Sequence, residues 1–143
     1  MNEAGGYFID ELSVGMSAEY VKTVTEADLL MFGAASGDMQ PVHFNEEYAA
    51  TTMFKGRIAH GMLSAGIISA CAGMRLPGPG AIYVSQSLRF KAPVRIGDTV
   101  HARVTIKEVV AEKKRVSADT VCTVGGRVVV EGEAVFMVPA RDA

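Results

Sequence analysis

The chain has 143 residues, 49% of them hydrophobic and 21% charged, with a formal net charge of -2. That is the size and balance of one globular domain with its own core, expected to run over residues 1–143. The mild charge, without a lysine–arginine run, argues against nucleic acid as a partner. The longest apolar stretch, Met62 to Met74, is too short and too interrupted by glycine and serine to span a bilayer, so no membrane association is expected. Met1 to Gly6 carry no basic n-region and no apolar h-region, so a secretory signal is not expected and a cytoplasmic location is. Cys71 and Cys122 lie in apolar segments with no CxxC or zinc spacing, which fits two buried, reduced thiols.

Residues up to about Gly15 read as an entry arm, and Ala18 to Val24 as a short strand. Thr25 can cap a helix, with Asp28 three positions on as a weak capping box. Leu29, Leu30, Phe32 and Ala35 give that helix an apolar side, and Gly37 can end it. Pro41 has no N–H and pushes Gln40 toward extended geometry, so Asp38 to His43 are expected to form a bent loop rather than a regular helix. Asn45 is a good N-cap for one or two turns from Glu46 to Thr52. After a turn at Lys55-Gly56-Arg57, an apolar, small-residue helix runs from about Gly61 to Gly73.

Beyond Pro77-Gly78-Pro79-Gly80 the period changes to two. Ile82, Val84, Gln86, Leu88 and Phe90 alternate with polar neighbours. So do Val100, Ala102, Val104 and Ile106, then Val116, Ala118, Thr120, Cys122 and Val124, and finally Val128, Val130, Gly132, Ala134 and Phe136. Gly97-Asp98 turns the chain, and Gly125-Gly126 is a two-residue hairpin. The expected architecture is α+β: one strand, helices, then a meander of four long strands. Each long strand has one apolar face needing cover, and the only element greasy enough is the Gly61–Gly73 helix.

Chemistry concentrates in Ser36-Gly37-Asp38-Met39-Gln40-Pro41-Val42-His43. A carboxylate and an imidazole on one bent loop can hold a water between an acid and a base. His60-Gly61-Met62 stands at the head of the apolar helix, where the Gly61 N–H can receive a developing negative charge. His60 itself reads as a histidine that satisfies a loop carbonyl. His101 reads as a surface residue, and the histidine spacings match no common metal set, so no metal is expected.

In order and at these spacings, five stretches resemble the MaoC-like hydratases, most closely the (R)-specific enoyl-CoA hydratases of the hot-dog fold. They are Ser36-Gly37-Asp38-x-x-Pro41-Val42-His43, Ala49-Ala50-Thr51-Thr52, Ile58-Ala59-His60-Gly61-Met62-Leu63, Gln86-Ser87-Leu88-x-Phe90-x-x-Pro93-Val94 and Gly97-Asp98. The resemblance covers Val14 to Val138. It implies a curved antiparallel sheet wrapped around a long central helix, and reversible addition of water to a trans-2-enoyl-CoA to give the (R)-3-hydroxyacyl-CoA. It further implies no metal or redox cofactor, coenzyme A being part of the substrate, and a homodimer joined at its sheet edges. Asp38, His43 and the Gly61 amide are then the catalytic groups. Gln40 departs from the asparagine usual in the group, and its amide is a candidate contact to the water or thioester. Gly61, Ser64, Ala65, Ile68, Ser69 and Ala72 form a stripe that either leaves room for an acyl chain or permits close helix–sheet packing. Arg89 and Lys91 either meet the phosphates of coenzyme A or form a solvated face.

Three other functions compete. A 3-hydroxyacyl-carrier-protein dehydratase of fatty-acid synthesis would need a basic rim, for which Lys55, Arg57, Arg89, Lys91 and Arg95 are the candidates. A non-catalytic acyl-CoA-binding subunit would be favoured by loss of Asp38 or His43, and both are present. A thioesterase leaves the Asp–Pro–His loop beside His60-Gly61 unexplained. The hydratase is therefore the expected activity, one that could supply (R)-3-hydroxyacyl units for polyhydroxyalkanoate synthesis.

Overall fold

The segments of period two become strands, and the sheet they build curves around one helix. The computed structural model describes residues 1–141. In chain order the elements are β1 (Ser17–Thr23), α1 (Glu26–Ser36), α2 (Pro41–Phe44), α3 (Glu46–Ala49), α4 (Gly61–Met74), β2 (Ile82–Gln86), β3 (Arg89–Phe90), β4 (Thr99–Val110), β5 (Arg115–Val124) and β6 (Arg127–Met137). The six-stranded sheet is antiparallel throughout, in the order β1-β4-β5-β6-β2, with β3 also on β6.

The inward residues of the long strands form the core. Val100, Ala102, Val104 and Ile106 of β4 are buried, as are Val116, Ala118 and Cys122 of β5 and Val130, Ala134 and Phe136 of β6. Their cover is the buried side of α4, carried by Ser64, Ile67, Ile68, Cys71 and Ala72. That helix packs on β1, β4, β5 and β6. Each valine or isoleucine removed from water in this way contributes about 1.5–3 kcal/mol. The arrangement is the α+β hot-dog architecture. The entry arm docks on it through the Tyr7 N–H to Pro77 O and the Ile9 N–H to Pro139 O, each at 2.9 Å. Gly125 and Gly126 take φ of +56° and +80°, as a tight hairpin between β5 and β6 requires.

Four expectations need correction. First, the last four strands are not a simple meander: β2 pairs with β6 and not with β4, which lies at the far side of β5. Second, the segment Ile82–Phe90 is two short strands. A Cβ on Gly132 would stand 1.8 Å from the Ser87 carbonyl oxygen, so the chain leaves the ladder at Ser87 by sinking onto a glycine of β6. The Gln86 amide crosses the same gap and donates to the buried Thr120 hydroxyl at 2.9 Å, which explains a glutamine in an apolar pattern. Third, that segment's apolar residues are not all interior, because Ile82, Val84 and Phe90 are exposed. Fourth, the helical stripe of small residues is rotated: Ile67 and Cys71 are buried while Ser69 is exposed.

Candidate active site

Two helix ends meet at the site. At the start of α1 the capping box forms as expected. Thr25 Oγ1 accepts from the Asp28 N–H at 3.2 Å, and Asp28 Oδ2 accepts from the Thr25 N–H at 2.8 Å. Such a cap is worth about 1 kcal/mol. Gly37 closes the helix in the left-handed region, φ +83°, with its N–H on Gly33 O at 2.8 Å. The chain then folds back across α1. A Cβ on Gly33 would meet Met39 Sδ and Phe44 Cζ at 2.7 Å, so a glycine is what lets the Asp38–Phe44 segment lie this close.

The Asp38–His43 segment is half loop and half helix. Gln40 is extended, with φ -56° and ψ 134°, as its proline neighbour demands. Pro41 then opens the single turn α2, which contains His43. The expectation of a continuous loop overlooked that proline is well suited to the first helical position, where no N–H is needed. Asp38 is exposed and tied down at both backbone and side chain: its N–H donates to Ser36 Oγ at 3.1 Å, and its Oδ1 accepts the Gln40 N–H at 3.3 Å.

His43 is buried. Its Nδ1–H donates to the Ile58 carbonyl at 2.8 Å, since a carbonyl can only accept. Its Nε2 therefore carries the lone pair. Burial pushes its pKa below the ordinary 6.5, and His60 adds to that effect, while the Ile58 hydrogen bond and Asp38 oppose it. Arg57 holds the segment from behind, with Nε donating to His43 O and one Nη to Glu26 Oε2, both at 2.7 Å.

His60 is also buried. Its Nε2–H donates to the Asp38 backbone carbonyl at 2.8 Å, the loop carbonyl anticipated for it. Its ring stacks on that of His43, with centroids 3.8 Å apart and planes 27° apart. The next residue, Gly61, opens α4, so its N–H has no acceptor within the helix and sits at the positive end of the dipole. Asp38, His43 and His60 each offer a ligand atom within 4.8 Å of the others.

Beside this cluster lies a cavity of about 550 Å³. Its walls are mostly apolar, including Met53, Phe54, Met62, Phe90, Pro93 and Val130, with His60 and Gly61 among them and Lys91 as the one charged residue. Asp38 and His43 do not line it; His60, which bonds to the one and stacks on the other, does. Of the other expected contacts, Ser64 lines the cavity. Ile68 is fully buried in the core and does not. Lys91 is at the cavity and 3.6 Å from Glu131, whereas Arg89 borders a separate hollow with Asp119 and Glu131. Gln40 is exposed next to Asp38. Sequence reasoning missed Phe90 as a wall over Gly61, and nothing in a period-two pattern marks which residue of a strand end leans on a helix start.

Fold and cluster together define a hot-dog protein with an acid–imidazole pair set against a helix N-terminus. The MaoC like domain matches residues 12–130, and the chain belongs to that family. It is 61% identical over 135 residues to an (R)-specific enoyl-CoA hydratase of Rhodospirillum rubrum, covering 94% of both chains. Among solved structures, it is similar to the unliganded R-hydratase PhaJ1 of Pseudomonas aeruginosa, at 48% identity and a TM-score of 0.87, over 93% of this chain and 86% of that one. It is also similar to the (R)-hydratase of A. caviae involved in PHA biosynthesis, at 41% identity and a TM-score of 0.86, over 90% and 98%.

Proposed function

We propose that this protein is an (R)-specific enoyl-CoA hydratase, a hydro-lyase that adds water reversibly to trans-2-enoyl-CoA. The observation that carries the reading is the neutral, buried His43, with its Nε2 lone pair available, grouped with the Asp38 carboxylate at the start of α4. The 61% identity to a protein of that activity supports it.

Negative charge must appear on the thioester oxygen as C3 is attacked. In the proposed step one water lies between Asp38 and His43. His43 Nε2 takes a proton as the water oxygen bonds to C3, and the C2–C3 π pair moves toward the thioester to form an enolate. The Gly61 N–H donates to that enolate oxygen, a contact worth about 3 kcal/mol by analogy with other oxyanion donors. The proton then passes to C2, so one water hydrogen ends on C2 and hydroxyl on C3. Asp38 holds the water's second hydrogen throughout and fixes which face is attacked. No metal or redox cofactor takes part in this scheme.

The apolar cavity suits an acyl chain or the pantetheine arm, with Ser64 on its wall and Lys91 placed for a phosphate. Gln40, exposed beside Asp38, is a further candidate contact, whereas Ile68 is buried in the core and Arg89 borders another hollow. Coenzyme A is preferred to an acidic carrier protein as the thiol carrier. Arg57 and Arg95, two of the cations a basic rim would need, direct their guanidinium groups to the carbonyls of His43, Phe54 and Arg57. A cytoplasmic location and a homodimer complete the reading; no helix among the described residues is long and apolar enough to cross a membrane. The (R) product fits a supply role for polyhydroxyalkanoate synthesis. The test is loss of enoyl absorbance with crotonyl-CoA and longer homologues after exhaustive chelation, with chiral analysis of the product. No turnover at any chain length, or an (S) product, would overturn the assignment.

A further inference from the structure

We infer that His60, outside the acid–base pair, is the positioning residue that fixes Asp38, His43 and the Gly61 amide relative to one another. The inference rests on the hydratase reading. Two contacts converge on this one ring: its Nε2–H holds the Asp38 carbonyl at 2.8 Å, and its face stacks on His43 at 3.8 Å. The residue is also the one that precedes Gly61, so fixing its ring fixes the backbone from which the Gly61 N–H projects. Phe32 and Phe44 clamp the ring, with centroids at 4.8 and 5.6 Å. The side chain is therefore not free to rotate away from either partner.

The residue type follows from the two demands. The Asp38 carbonyl needs a donor, and the buried His43 ring needs a flat neighbour. Phenylalanine would answer only the second and glutamine only the first. Histidine answers both, and does so although its Nδ1 is buried with no protein partner among the described residues. The donor on the opposite side of the ring, aimed at the Asp38 loop, is what the histidine supplies beyond a flat face.

Because the His60 Nε2–H grips Asp38 by the backbone, the donor's contribution to turnover runs through the Asp38 carboxylate, and the ring's through His43. The experiment compares His60→Phe, which keeps the ring and loses the donor, with His60→Gln, which keeps a donor and loses the ring, in the wild type and in an Asp38→Asn background. Crotonyl-CoA is the probe. His60→Phe is expected to lower kcat by about tenfold or more with KM within about twofold, and to lower it by less than about threefold once Asp38 is already asparagine. Equal losses in the two backgrounds would mean a merely structural residue and overturn the inference. So would near wild-type turnover of His60→Phe in an active enzyme. If His60→Phe does not fold, His60→Gln is read instead in a His43→Gln background, because the ring it loses is the contact to His43, and equal losses there and in the wild type overturn the inference. The imidazole ¹H–¹⁵N spectrum of the wild type gives an independent arm. His60 is expected as the Nε2–H tautomer and His43 as Nδ1–H, and an Nδ1–H tautomer at His60 overturns the inference outright. A wild-type protein that hydrates no enoyl thioester sinks the hydratase reading and this inference with it; an active wild type with an indifferent His60 sinks the inference alone.

Discussion

The Phe90 ring lies against the Cα of Gly61, so close that a Cβ on residue 61 would stand 2.7 Å from a ring carbon. Strand β3 thus roofs the first turn of α4 at the amide proposed to receive the enolate. Gly61→Ala keeps the N–H and fills the space above it. It is expected to lower kcat/KM by about tenfold or more, because a displaced oxyanion contact loses most of its value. Phe90→Leu in the Gly61→Ala background should recover part of that loss by giving the methyl group room. Steady-state kinetics of the two single variants and the double variant check this; a Gly61→Ala enzyme with full activity would remove the amide from the mechanism.

Asp38→Asn and His43→Gln are each expected to lower kcat by about a hundredfold or more, the scale of general acid–base groups. The two act on one water, so the double variant should lose less than the product of the single losses. Asp38 is exposed, and its variant should melt close to the wild type. His43→Ala would in addition leave the Ile58 carbonyl unpaired and should destabilise the fold by about 1–3 kcal/mol. Thermal melts beside the kinetics separate the two effects.

Both parts of that pair stood out in the sequence because proline and glycine have few uses. Pro41 restricts Gln40, Gly37 ends a helix, and what remains between them is a short segment with an acid and a base. The strand faces from Val100 to Ile106 and from Val116 to Cys122 were equally legible, because burial enforces a period of two. The order of strands was not. Where β2 runs out beside β6, Gly132 admits the Ser87 carbonyl, a contact between residues far apart in sequence that leaves only an isolated glycine as its trace. The stacking of His60 on His43 was invisible for the same reason: neither local pattern carries the distance between them.

Acid should weaken the fold through His43. Burial favours its neutral form, so the unfolded chain takes up a proton at a higher pH than the folded one. Its contribution is complete above the ordinary value of 6.5 and is lost as pH falls through the lower value of the folded protein. Urea midpoints measured between about pH 5 and pH 8 should fall on the acid side, less steeply in His43→Gln than in the wild type. Parallel slopes would show that His43 does not titrate differently in the two states. The acid limb of kcat/KM should likewise lie below 6.5 and be absent from the residual activity of His43→Gln.

Gln40 tests the departure from the family's usual asparagine. Its backbone is pinned between Asp38 and His43, its N–H on Asp38 Oδ1 and its carbonyl accepting the His43 N–H at 3.0 Å, while the residue is exposed. Gln40→Asn and Gln40→Ala should therefore leave the melting temperature within a degree or two, the small effect usual at surface positions. A change of several-fold in kcat/KM is expected if the amide meets the water or thioester. Unchanged kinetics in both variants would reduce the position to a loop residue and the site to Asp38, His43 and the Gly61 amide.

The remaining prediction concerns the edge of the sheet. One edge is β1, where Glu19 and Lys22 place charge along the strand. The other is β2, Ile-Tyr-Val-Ser-Gln, with no lysine, glutamate or proline to discourage pairing and with Ile82 and Val84 more than half exposed. An uncharged apolar edge on a long sheet is an invitation to another strand. A second copy meeting it across a two-fold axis would satisfy the open backbone groups of both strands at once. The protein is therefore expected to sediment as a homodimer at assay concentration. Ile82→Lys puts a charge on that edge at a position 58% exposed within the chain, so the substitution should leave the chain's own packing intact. It should shift the protein toward monomer and lower its melting temperature in a concentration-dependent way. A wild type that is monomeric and fully active, or an Ile82→Lys variant that dimerises as tightly as the wild type, would place the interface elsewhere or remove it.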